Sequence, residues 1–111
     1  MTTAVRDELK GKVLSLKDLV DYQQGTIASR MIVSTPSGSI TVFAFDEGEA
    51  LSEHTAPFDA VLTVIDGRAE VTIGGLLNYL EPGETIIMPA NIPHAVSAIT
   101  RFKMMLTMIR G

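Results

Sequence analysis

Between residues 60 and 93 no stretch is long enough for an ordinary helix. Asp66-Gly67, Gly74-Gly75, Pro82-Gly83 and Pro89-Ala-Asn-Ile-Pro93 cut this part of the chain into pieces of strand size. Asp-Gly and Gly-Gly are hairpin dipeptides, because both central residues of the favoured two-residue turn need positive φ. The pieces between them carry strand patterns. Ala60–Ile65 is an apolar run of the kind found in a strand buried on both faces. After Asp66-Gly67, Arg68, Glu70 and Thr72 alternate with Ala69, Val71 and Ile73, a period of two. Leu76–Leu80, Thr85–Met88, His94–Ile99 and Phe102–Ile109 follow. In the last of these, Phe102, Met104, Leu106 and Met108 share one side, and Lys103, Met105 and Thr107 the other. Upstream, Ile27–Ser34 and Ile40–Phe45 flank the turn Thr35-Pro-Ser-Gly38.

About eight short strands with regular turns predict an all-β sandwich or barrel, and the absence of strand–helix alternation excludes a doubly wound sheet. One short helix is expected at 16–22. Ser15 and Asp18 fit a capping pair, Leu16, Leu19 and Val20 fall on one face, and Gly25 supplies a stop. The first dozen residues, polar and charged, are expected to fray. Residues 1–25 therefore read as an arm with a short helix, and 26–111 as one barrel domain.

Composition narrows the function classes. The 111 residues carry a net charge of −4 and no basic run, which argues against nucleic-acid binding. No cysteine is present, which removes disulfides, thiolate ligands and a cysteine nucleophile. No apolar stretch approaches the roughly 20 residues of a membrane span, and the N-terminus lacks an apolar secretion core, so the reading is a cytoplasmic protein. Only 20% of residues are charged, leaving apolar surface to cover. A homodimer is expected, formed through the N-terminal region and an outer sheet face, with Val13, Leu14 and Ile32 among the residues to cover.

Two histidines hold the sharpest signal. His54 lies in Gly48-Glu-Ala-Leu-Ser-Glu-His54-Thr-Ala56-Pro-Phe-Asp-Ala60, and six residues then separate Ala60 from Gly67. His94 lies in Gly83-Glu-Thr-Ile-Ile-Met-Pro89-Ala-Asn91-Ile-Pro-His94. This pattern resembles the two motifs of the cupin superfamily, small double-stranded β-helix or jelly-roll barrels. Gly48, His54 and Gly67 match the first motif, and Gly83, Pro89 and His94 the second. Ala56 stands at the motif's second histidine, Ala60 at its glutamate, Asn91 at its second glycine and Ala98 at its terminal asparagine. Asn91 retains the tolerance for left-handed backbone that the glycine supplies.

The resemblance implies a jelly-roll barrel and, at its mouth, a metal held by three histidines and a carboxylate. Such a set suits Fe, Mn, Ni, Zn or Cu. Here Ala56 and Ala60 remove one imidazole and the carboxylate. The expectation is a weakly held or absent metal at His54 and His94. Asp59 and Glu53 are the nearest spare carboxylates, each one residue off the strand parity needed. Met88, Met104, Met105 and Met108 read as core filler rather than soft ligands. Tyr22 and Tyr79 read as packing residues with wet hydroxyls. The favoured function is a small-molecule-binding cupin, its organic ligand held around His54 and His94 with Ala56, Ala60 and Met88 alongside. The alternative is a metal-dependent cupin enzyme of dioxygenase or isomerase type with an atypical ligand set. A third reading is a metal-free isomerase in which a histidine oriented by Asp59 or Glu53 acts as general base.

Overall fold

The computed structural model describes residues 8–110. The expected fraying of the first dozen residues therefore falls mostly outside the described residues. Nine strands occur among those described: β1 Ile27–Thr35, β2 Gly38–Phe45, β3 Ala50–His54, β4 Ala60–Gly67, β5 Ala69–Ile73, β6 Leu76–Leu80, β7 Thr85–Met88, β8 His94–Ser97 and β9 Phe102–Ile109. They form a five-stranded sheet in the order β1-β2-β9-β4-β7 and a four-stranded sheet in the order β3-β8-β5-β6. The architecture is the expected all-β jelly roll.

Strand alternation builds the core between the sheets. Phe45, Leu62, Val64, Phe102 and Met104 from the larger sheet meet Val71, Leu80 and Val96 from the smaller one, all buried. Phe45 and Phe102, opposite one another on β2 and β9, stack at 4.5 Å. Burial of each such side chain contributes roughly 1.5–3 kcal/mol.

The turn signals divide into two kinds. Gly74-Gly75 closes a hairpin in which Ile73 pairs with Leu76, with φ of 55° and 82°. Asp66-Gly67 does not close the expected hairpin. Both edges of β4 are occupied, by β7 and β9, so β5 has no place beside it and crosses to the other sheet. Gly67 still takes a positive φ of 72°, and a Cβ there would overlap the carbonyl of Arg101. Pro82-Gly83 likewise carries the chain from β6 in one sheet to β7 in the other.

The expected helix at 16–22 shrinks to a single 3₁₀ turn, Leu16–Asp18, and the Ser15 side chain makes no capping bond. So short a helix gains little from its own hydrogen bonds, and tertiary packing decides its shape. Leu16, Leu19, Val20 and Tyr22 lie as a strap on the outer face of the larger sheet, over Val42, Ala44, Ile65 and Met105. Polar contacts fasten it. The hydroxyl of the partly buried Tyr22 donates to Asp66 Oδ2 at 2.6 Å. Gly25 N–H donates to Asp46 Oδ2 at 2.6 Å, and Arg101 Nε donates to Asp46 Oδ1 at 2.7 Å. Lys103 Nζ donates to the Lys17 carbonyl. The Gly25 N–H, then the Arg101 guanidinium, holds the Asp46 carboxyl below the usual carboxylate range. Burial, then the bond to Asp66, pushes the Tyr22 phenol up.

Candidate functional site

His54 ends β3 and His94 begins β8, and the two are direct cross-strand partners. Their rings meet edge to face, centroids 4.4 Å apart and planes 69° apart. The surrounding backbone explains how His94 reaches this position. Asn91 adopts φ of 65°, and its N–H donates to the Ala56 carbonyl at 2.7 Å, tying the Pro89–Pro93 segment to the loop after His54. The Pro93 carbonyl accepts from Gly74 N–H at 2.8 Å. His54 is exposed at the rim, whereas His94 is 4% exposed.

Each ring is oriented by a carbonyl two residues earlier in the chain. Nδ1 of His54 lies 2.8 Å from the Ser52 carbonyl, and Nδ1 of His94 lies 3.2 Å from the Ile92 carbonyl. A carbonyl only accepts, so both rings carry their proton on Nδ1 and, when neutral, a lone pair on Nε2. Backbone carbonyls serve this orienting role in many metal-binding histidines.

Both rings border a cavity of about 60 Å³, which Ala56, Ala60 and Met88 also line. The structure thus brings together all five residues singled out in the sequence. It adds Leu51, Val96 and Leu106 as apolar walls, with Met104 and Met108. Alternation in the last strand placed Met104, Leu106 and Met108 on one side, but only pairing of β9 with β4 sets that side under the histidines. Ala60 pairs with Met88 on one flank and Met108 on the other, so the three form one transverse row.

The spare carboxylates do not join the site. Asp59 Oδ1 accepts from Ala90 N–H at 2.8 Å, bracing the turn before Asn91, and Asp59 faces a shallow depression with Pro57 and Phe58 instead. Glu53 is exposed and absent from the cavity lining. Asp59 precedes β4 rather than lying in it, so its bond to Ala90 rather than strand parity accounts for its orientation. Neither carboxylate orients a histidine, so the acid–base arrangement required by the metal-free isomerase reading is missing. No cluster of three or more His, Cys, Asp or Glu able to hold a metal occurs among the described residues. The three-imidazole, one-carboxylate set does not fit here, because methyl groups occupy two of its four places.

A second cavity of similar volume lies beside Arg68, Glu70 and Tyr79. Arg68 already stacks on Tyr79 at 4.4 Å and pairs with Glu81 at 3.1 Å, so its polar groups are spent on neighbours. The histidine cavity is the stronger candidate. No helix among the described residues is long and apolar enough to cross a membrane.

The comparisons with known proteins agree with this fold. A family model described as Cupin domain matches residues 41–110. A conserved protein of unknown function from Streptococcus pyogenes is 39% identical over 91% of this chain and 89% of its own, with a TM-score of 0.86. A Cupin 2 conserved barrel domain protein from Leptotrichia buccalis is also 39% identical, over 84% of this chain but 45% of its own, with a TM-score of 0.81. A cupin superfamily protein from Desulfitobacterium hafniense, 24% identical over 92% of this chain and 94% of its own, shares the fold with a TM-score of 0.86. No curated protein matches the chain.

Proposed function

The chain belongs to the cupin domain family, and on that premise we propose that it is a small-molecule-binding module whose ligand enters beside His54 and lies against His94. The observation that carries this reading is that two imidazoles, each with Nδ1 against a backbone carbonyl and Nε2 left over as an acceptor, line one otherwise apolar cavity. Lone pairs call for a donor, so the ligand class is a small hydroxyl-bearing organic molecule with an apolar or aromatic body. The cavity is far smaller than the several hundred Å³ of a drug-sized pocket, so it accepts the leading end of the ligand and leaves the rest at the rim. A divalent ion (Zn, Mn, Fe or Ni) would have two imidazoles as its protein ligands and would be held weakly. The metal-dependent enzyme reading has less support for the same reason.

Phenol serves as a test ligand. Titration followed by NMR should shift the signals of His54, His94, Ala56 and Ala60 together, and His54→Ala or His94→Ala should abolish those shifts. Unchanged phenol binding in both variants would refute the reading.

We also propose that a second copy of the chain is the partner. Val33, Ile40, Thr107, Val61 and Ile87 are successive register partners and form one uncharged, wholly β-branched row across all five strands of the larger sheet. The row lies on the outer face beyond the strap, with Ile87 59% and Val33 42% exposed. A flat face of this kind can pair with itself about a two-fold axis. The N-terminal contribution expected from the sequence is smaller, because Ile32 packs against the strap of its own chain, although Val13 remains exposed. Light scattering should give twice the 12.0 kDa chain mass, reverting to one chain in Val61→Lys/Ile87→Lys.

A further inference from the structure

We propose that the metal this cavity selects is a soft monovalent ion, Cu(I), bound by the two imidazoles and by thioethers from the facing sheet. The inference rests on the reading of the His54–His94 cavity as the binding site and adds the class of ion. Three of the chain's six methionines, Met88, Met104 and Met108, line this one cavity. Met88 is 3% and Met104 1% exposed. Methionine is usually core filler, and filler carries no requirement to gather around a pair of histidines. The decisive arrangement is the row Met88–Ala60–Met108. Ala60 occupies the place of the missing carboxylate, so where a hard anionic oxygen would project, a methyl group stands with a methionine on either flank.

Donor chemistry then separates the metals. Hard and borderline divalent ions gain from carboxylate oxygen, and none lines this cavity. Thioether sulfur selects Cu(I), which imidazole nitrogen also suits. A single positive charge is cheaper to bury among neutral donors and apolar walls than a double one. With Nδ1 of each ring set against a backbone carbonyl, Nε2 is the nitrogen each imidazole has left for a metal.

The test is an anaerobic competition of the full chain against the Cu(I)–bicinchoninate complex, with Zn(II) titrated in parallel. Wild type should take one Cu(I) per chain. Met88→Leu/Met108→Leu, a nearly volume-conserving change, should lower Cu(I) affinity at least about tenfold and leave Zn(II) affinity unchanged. Met31→Leu, at an exposed methionine away from the cavity, should change neither. The X-ray absorption spectrum of the Cu(I) form should contain sulfur scattering whose amplitude falls in the double variant. Absence of Cu(I) uptake by wild type, or uptake indifferent to the double variant, would overturn the proposal. Phenol shifts still abolished by His54→Ala in that case would leave the binding-site reading standing, whereas indifference to both histidines would remove both.

Discussion

His54 and His94 are paired directly across β3 and β8, with ring centroids 4.4 Å apart, yet one is exposed and the other 4% exposed. The two therefore differ in setting: His54 faces solvent at the rim, and His94 forms part of the buried cavity wall. Their substitutions should differ in stability while agreeing in binding. His54→Ala should change unfolding free energy by no more than about 0.5 kcal/mol. His94→Ala, which opens a gap beneath the rim, should cost about 1–3 kcal/mol. Urea unfolding of the two variants beside Zn(II) titration checks both halves, with residual Zn(II) binding lost in each.

Ala56 and Ala60 stand on the same cavity as the histidines, so restoring the missing donors there should rebuild a hard-metal site. Ala56→His/Ala60→Glu should raise Zn(II) or Ni(II) affinity by at least about a hundredfold, equivalent to roughly 2.7 kcal/mol. The metal-free double variant should be less stable than wild type by about 2–4 kcal/mol, because Ala60 is buried and an unpaired carboxyl placed there is desolvated. Calorimetric titration and thermal unfolding with and without the ion should show the opposing effects.

Gly67 and Gly75 share a positive φ, 72° and 82°, but only Gly67 abuts the Arg101 backbone. Gly75→Ala should therefore cost about 1–2 kcal/mol, the penalty for a left-handed residue. Gly67→Ala should cost about 3 kcal/mol or more, since β4 must also move away from β9. Equal losses in chemical denaturation would show that the crossover can relax.

Asp46 links the strap to the barrel, and its carboxyl is held below the ordinary range by Gly25 N–H and Arg101. The stabilisation is full above the ordinary carboxylate pKa of about 3.9. It is lost as pH falls below that value through the depressed folded one, because the unfolded chain takes the proton first. Asp46→Asn should lower stability near neutrality and flatten its decline on acidification, which urea midpoints measured across the acid range would report.

Local chemistry made much of the fold legible. Ile73-Gly74-Gly75-Leu76 carries its own turn geometry, and the alternation in β5 and β9 follows from side chains that point to opposite faces. The motif spacing identified both histidines and both alanines, since glycine, proline and asparagine at fixed offsets impose backbone shapes that few other residues adopt. Three things escaped this reading. Asp66-Gly67 bends the chain without specifying which strand lies beyond the bend, and that depended on β7 and β9 already flanking β4. Ser15–Tyr22 has helical spacing, but the outer sheet face offered Val20 and Tyr22 better burial than a helix would. Asp66, Asp46, Arg101 and Lys103 are far from the strap in sequence, so no local pattern announces their contacts with it.

The sequence by itself determined strand lengths, turn positions and the loss of two metal donors, because each depends on the chemistry of residues close together along the chain. The motif resemblance already implied that His54 and His94 share one site; only the tertiary structure decided that they are direct cross-strand partners, and that Ala60 lies between Met88 and Met108. Those neighbours are separated by tens of residues, and cross-strand register, set by packing of the whole core, is what brings their side chains onto one cavity.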